Sequence, residues 1–141
     1  FNKMKGMGQI VTWSVRDETL HMTSIIKLFH SFVHENPEVW TDELQHDLTE
    51  ACKTVVKHED AFIDLAFEQG GIQGLSADEV KMYIRHIADR RLLQLGLKPN
   101  YEIKDNPLPW LDWVLNGVEH TNFFENRATE YSKGSTTGSL W

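Results

Sequence analysis

The stretch that decides the fold is QIVTWSVRDETLHMTSIIKLFHSFVH, running from Gln9 to His34. Its apolar positions Val11, Val15, Met22, Ile25, Phe29 and Val33 recur at steps of three, four and seven, the period of one helical face. A single long amphipathic helix is predicted. One position breaks the pattern. Glu18 stands at the step between Val15 and Met22, where the period asks for an apolar residue, and His21 follows one turn on. A carboxylate removed from water without a partner costs several kcal/mol, so on a buried stripe Glu18 must be protonated, paired or bound to a metal.

Working outward, Asn36-Pro37 ends this helix, because proline disfavours helical geometry in the residue before it and suits a first helical turn. A second helix is expected from Thr41, whose hydroxyl can cap it while Asp42 and Glu43 complement the dipole. Its stripe, Leu44, Leu48, Ala51, Val55, Phe62 and Leu65, extends to Gln69, where Gly70, Gly71 and Gly74 break it. Ser76-Ala77-Asp78-Glu79 is a capping box opening a third helix with Val80, Ile84, Ile87 and Arg91 on one face, expected to stop at Gly96. Asn106-Pro107-Leu108-Pro109-Trp110 is a rigid turn, and Ser132 to Ser139 has the composition of a mobile tail. No segment alternates with period two for long enough to make a strand, so the fold class is all-α, a bundle of long helices. There is no internal repeat. Phe1 to Gly8 carries no helix-start signal, and the chain reads as beginning partway through a larger unit.

The 141 residues, 40% of them hydrophobic, suit one globular domain. A net charge of -7, with both signs mixed along the chain, excludes the basic stripe of a nucleic-acid surface. There is no apolar run long enough to span a bilayer and no signal peptide, and the single Cys52 cannot form an internal disulfide, so a reducing cytoplasm is expected.

Glu-x-x-His places an oxygen and an imidazole nitrogen on one helical face, the arrangement used by di-iron and di-manganese carboxylate bundles. Glu43-Leu44-Gln45-His46 has the same spacing but falls in a first turn, where acidic residues serve the dipole. If the first two helices form an antiparallel hairpin, His58 and Glu59 lie level with Glu18, either as outer partners of a site or as a structural polar pair. His30 and His34 also mimic a ligand pair, but near a helix end they fit the dipole or the surface. The other reading of Glu18 and His21 is a buried ion pair or hydrogen-bonded pair, with Arg16 or Lys27 as partner. Two ligands cannot hold two metals, since first-row ions in such sites take four to six each, so further carboxylates must come from outside this chain.

Arg16-Asp17-Glu18-Thr19-Leu20-His21 is similar to the Arg-Asp-Glu-x-x-His segment of the small subunit of class I ribonucleotide reductases. Gly6-Met7-Gly8-Gln9, Glu35-Asn36-Pro37-Glu38, His86-Ile87-Ala88-Asp89-Arg90-Arg91, Gly96-Leu97-Lys98-Pro99, Asn106 to Trp110 and Asn122-Phe123-Phe124-Glu125-Asn126-Arg127 resemble the same family in order. The resemblance covers essentially the whole chain. It implies a ferritin-like helical bundle, of which residues 1–131 would be the C-terminal half and 132–141 a flexible tail.

The resemblance also implies roles. Glu18 and His21 would be ligands of a dinuclear metal centre, Fe/Fe or Mn/Fe, completed to four carboxylates and two histidines by an N-terminal half of the subunit. Asp17 would orient a ligand histidine and join the radical-transfer route. Tyr131 would pass the radical to the large catalytic subunit through the tail, with Glu125 accepting its proton. Small-subunit dimerisation is implied as well. Chemistry on the ribose belongs to the large subunit, so Cys52 is expected to be a core thiol. Two other functions compete: a ferritin-like di-metal oxidase that keeps its oxidant for its own substrate, and a non-catalytic scaffold fragment.

Overall fold

The computed structural model describes residues 5–112. Helix α1 spans Lys5–Glu35, a short 3-10 turn spans Pro37–Val39, and helices α2 and α3 span Asp42–Phe67 and Ala77–Gln94. Residues beyond Gln94 form an irregular segment that enters a helical turn at 109–112. The described residues are thus all-α, and the sole pairing of strand type among them is an isolated bridge between Ile72 and Leu75. None of their helices is long and apolar enough to cross a membrane.

The ends of the helices follow the local chemistry read from the sequence. At the end of α1 the Phe32 carbonyl accepts from both the backbone N–H and the side-chain amide of Asn36, each at 2.9 Å. Pro37 then opens the 3-10 turn, and Trp40 closes edge-on against Phe29 with ring centroids 5.6 Å apart. The Thr41 hydroxyl caps α2 by accepting from the Leu44 N–H. Ser76 and Glu79 form the reciprocal capping box of α3. Its C-terminal stop is a Schellman motif, with Leu97 N–H bonded to the Leu92 carbonyl and Gly96 N–H to that of Leu93. Gly96 has φ of +83°, which a residue without Cβ adopts freely, and Leu97 folds back onto Leu92 in the core.

Helices α2 and α3 pack antiparallel, as their cross-links show: Asp60 pairs with Arg85 and Asp64 with Lys81. The Arg85–Asp60 contact is bidentate, at 2.9 and 2.5 Å, and Arg85 also lies over the Tyr101 ring, 5.6 Å from its centroid. The core between them contains Val56, Ile63, Ala88 and Leu92, closed at one end by Leu97 and Leu108. Two polar residues are buried with them. Asp89, 3% exposed, accepts the backbone N–H groups of Asn100 and Tyr101 on one oxygen and of Ile103 on the other. His86 donates from Nδ1 to the Ile103 carbonyl at 3.2 Å. Asn100 reaches across to the Thr49 carbonyl and fastens the same segment to α2. At its far end Asn106 accepts from Leu108 N–H and donates to Asp112, making the expected rigid turn.

Three expectations are corrected. α2 pairs with α3 rather than forming a hairpin with α1, so counting back from the turn does not bring His58 and Glu59 level with Glu18; His58 is exposed and Glu59 half-buried. The predicted α2 stripe turns inward only at its start, where Leu44 and Leu48 are half-buried. Val55, Phe62 and Leu65 are exposed, while Cys52, Val56, Ile63 and Phe67, offset around the helix, take the inner side. Cys52 is accordingly half-buried rather than a fully enclosed core thiol. The second and third of these share one physical reason: α2 has apolar residues on two sides, and periodicity reports both without ranking them.

Candidate metal centre

Helix α1 is 31 residues long, about 46 Å at 1.5 Å per residue, and has two apolar faces. Val15, Met22, Ile26, Phe29 and Val33 lie along the inner face and are half-buried. Met7, Ile10, Val11, Ile25, Leu28 and Phe32 lie along the adjoining face and are 51–69% exposed. Glu18 and His21 fall in register with this second set, between Val11 and Ile25, and both are exposed. The expectation that Glu18 interrupts a buried stripe is corrected in this form: it interrupts an apolar stripe, but one that lies open. Val15 and Met22 belong to the neighbouring face, 40 to 60° around the helix at about 100° per residue.

Asp17 is also exposed and lies at the edge of the open stripe. Spacing on α1 brings Glu18 and His21 together one turn apart, with Asp17 beside them. Among the described residues no group of three or more His, Cys, Asp or Glu side chains converges to hold a metal ion. Glu43 and His46 are exposed in the first turns of α2, as a dipole role requires. His30 does more than face solvent: its Nε2–H donates to the Gln94 carbonyl at 2.6 Å and fastens α1 to the end of α3. His34 is exposed in the last turn of α1. Tyr131 and Glu125 lie outside the described residues.

Beside Glu18 runs an open groove of about 320 Å³, lined by Ser14, Val15, Glu18, Thr19 and Met22 of α1 and by Arg91 of α3. The Thr19 hydroxyl is committed to the Val15 carbonyl, 2.8 Å away. Arg91 is half-buried; desolvation, reinforced by the neighbouring Arg90, lowers its pKa from the usual arginine value. Sequence reasoning did not place Arg91 here, although the signal was present: it occupies an apolar position of the α3 stripe, four residues after Ile87.

A carboxylate and an imidazole suit first-row ions such as iron and manganese, and on an exposed face both side chains are free to turn toward one. Two donors fill only part of even one coordination sphere. The residues present therefore fit a share of a dinuclear centre.

Comparison with known proteins matches the chain to a family. The family described as "Ribonucleotide reductase, small chain" matches residues 1–107. The protein named "Probable ribonucleoside-diphosphate reductase small subunit" of Invertebrate iridescent virus 3 is 48% identical over 136 residues, 96% of this chain and 36% of the viral protein. The ribonucleoside-diphosphate reductase subunit beta of Chlamydia pneumoniae is 41% identical over 139 residues, 99% of this chain and 39% of the bacterial one. Among solved structures, the ribonucleotide reductase R2 subunit from Clostridium botulinum superposes with a TM-score of 0.75 at 28% identity, covering 84% of this chain and 36% of that one. The fold is thus the ferritin-like helical fold of these subunits, present in part. The chain spans little more than a third of the length of the relatives it matches. On the family match and on the 48% identity across nearly all of its length, the chain belongs to the ribonucleotide reductase small-chain family.

Proposed function

We propose that this chain is part of the radical-generating small subunit of a ribonucleoside-diphosphate reductase, and that Glu18 and His21 are two of the ligands of its dinuclear metal centre. The observation that carries the reading is their place on α1: a carboxylate and an imidazole one turn apart, in the middle of an apolar stripe that the described residues leave open. An apolar face of this length is a packing surface, and ligand side chains within it will be enclosed when the rest of the subunit covers it. The remaining ligands come from that part, in the same polypeptide or a separate one.

Bound there, an Fe/Fe or Mn/Fe pair supplies the one-electron oxidising chemistry the reductase draws on. This chain's own residues hold and orient. Glu18 and His21 contribute an anionic oxygen and a neutral nitrogen. Asp17, on the adjoining edge of the helix, takes the proton-bearing nitrogen of a ligand histidine from the rest of the subunit, which fixes that ring's tautomer and strengthens its ligation. Tyr131 is the relay toward the large subunit: loss of an electron from the phenol releases its proton, and Glu125 accepts it. The tail, residues 132–141, makes the contact with the large subunit, and the small subunit acts as a dimer.

In the assembled small subunit, Glu18→Ala or His21→Ala is expected to lower metal affinity by about 100-fold or more, beyond the loss typical of outer partners. Metal analysis after anaerobic loading with Fe(II) reads this directly, and a fully loaded site in either variant overturns the assignment. Tyr131→Phe is expected to keep its metal and lose nucleotide reduction.

A further inference from the structure

We propose that Arg91 is a docking cation: it receives a carboxylate, not itself a metal ligand, from the polypeptide that packs over the open face of α1. The inference rests on the reading above, that the rest of the small subunit covers this face, and adds the chemistry of the contact. Four observations carry it. Arg91 occupies an apolar register position of α3 and is half-buried, so its charge has lost part of its hydration. Its side-chain hydrogen bond goes to Gln94 Oε1, 2.8 Å away, a neutral acceptor one turn on in its own helix. No carboxylate among the described residues pairs with it, whereas Arg85 and Lys81 of the same helix each hold one. Finally, Arg91 is the α3 contribution to the groove beside Glu18, and that groove lies at the seam between the covered and open faces of α1.

A half-withdrawn guanidinium with donors to spare, at the border of a long apolar stripe, is an incomplete ion pair. The planar fork favours a bidentate carboxylate over a neutral group. The partner segment that fits is a helix with apolar residues toward Met7, Val11, Ile25 and Leu28 and an acidic side chain on the edge facing α3. The His30–Gln94 bond holds the end of α3 against α1, so the cation is in place before the partner arrives. Desolvation of the pair on docking makes its loss costly on one side and gives orientation on the other.

The test uses the complete small subunit, with this chain joined to or complexed with its remainder. Unfolding midpoints are measured for the wild type, Arg91→Met, Arg91→Lys and Gln94→Ala at low and at high salt. Methionine keeps the apolar stem without the charge. The expected result is a drop of several degrees for Arg91→Met at low salt, at least half restored in Arg91→Lys, and a gap that narrows in high salt. Two results overturn the proposal: Arg91→Met unfolding with the wild type at low salt, or Gln94→Ala reproducing the whole loss without salt dependence, which assigns the effect to the internal bond. Metal content of Glu18→Ala and His21→Ala, measured alongside, separates the two readings. Retained metal there sinks the ligand assignment, while either of the two results above, with metal lost from these variants, sinks the docking pair alone.

Discussion

The α2–α3 pair and α1 are built from similar amphipathic sequence, yet they dispose of their polar groups in opposite ways. In the pair, the buried and half-buried groups find partners inside the chain. Asp89 gathers three backbone N–H groups, His86 meets a carbonyl, and Arg85 and Lys81 have their aspartates. On α1, Glu18 and His21 lie on an apolar stripe where the described residues bring no group of three or more ligand-type side chains together, and Arg91, which lines the groove beside them, bonds among the described residues to the neutral Gln94 side chain. A buried polar group satisfied locally is an element of architecture. One placed on an open apolar face is an element of an interface or a site, because its partners must arrive from elsewhere. The family match gives the difference its scale, since the relatives carry nearly twice as much chain again.

The contrast can be broken most severely at the open stripe. Replacing Ile25 and Leu28 together by alanine is expected to lower the stability of the complete subunit by about 4 kcal/mol, at about 2 for each enclosed aliphatic side chain. If the stripe stays in water, the double variant will sit within about 0.5 kcal/mol of the wild type in urea unfolding, the range of ordinary surface substitutions. At the clamp, Asp89→Ala strands three N–H groups and is expected to cost about 3 kcal/mol. Bound metal per folded molecule should be unchanged, because α1 does not depend on that contact; loss of metal at equal folding would show that the two regions are coupled.

The smallest expected effect concerns Cys52, where burial, with Asp89 nearby, pushes the thiol up. The folded thiol therefore keeps its proton at a pH where the unfolded one has begun to lose it. This contribution to stability is complete below about pH 8.5, the ordinary thiol value, and is lost as pH rises through the folded value. Cys52→Ser should flatten that alkaline slope slightly, and iodoacetamide should label native Cys52 more slowly than a free thiol.

How much of this was legible follows from what each signal encodes. Helix existence and the capped termini were readable because caps are local: Thr41, Ser76 with Glu79, Asn36-Pro37 and Gly96 act within a few residues of themselves, whereas α1 is already helical at Lys5, ahead of the expected Gln9. Which face is covered was not readable on α1 or α2, because each carries two apolar sides and the choice belongs to the partner. Placing Glu18 on the stripe with Val15 and Met22 was a misreading of that kind, though its singularity among apolar neighbours held. The Asp89 clamp escaped notice because its partners are backbone amides eleven to fourteen residues away, and backbone donors leave no mark in a side-chain pattern. Pairing α1 with α2 failed for another reason: it assumed that sequential helices pack on each other, while the cross-links between α2 and α3 are charged residues with no periodic signature.

Asp89 has a further consequence, on the timescale of solvent isotope replacement. The segment from Asn100 to Ile103 is irregular, and a loop ordinarily gives up its amide protons within seconds to minutes. Three of these amides are instead held by one carboxylate that is almost wholly out of water. They can exchange only when Asp89 itself comes free, an opening that disrupts the packing of Leu92 and Leu97 as well. Deuterium uptake there should keep pace with the centre of α3, so that a stretch without regular structure shares the lifetime of the helix that anchors it.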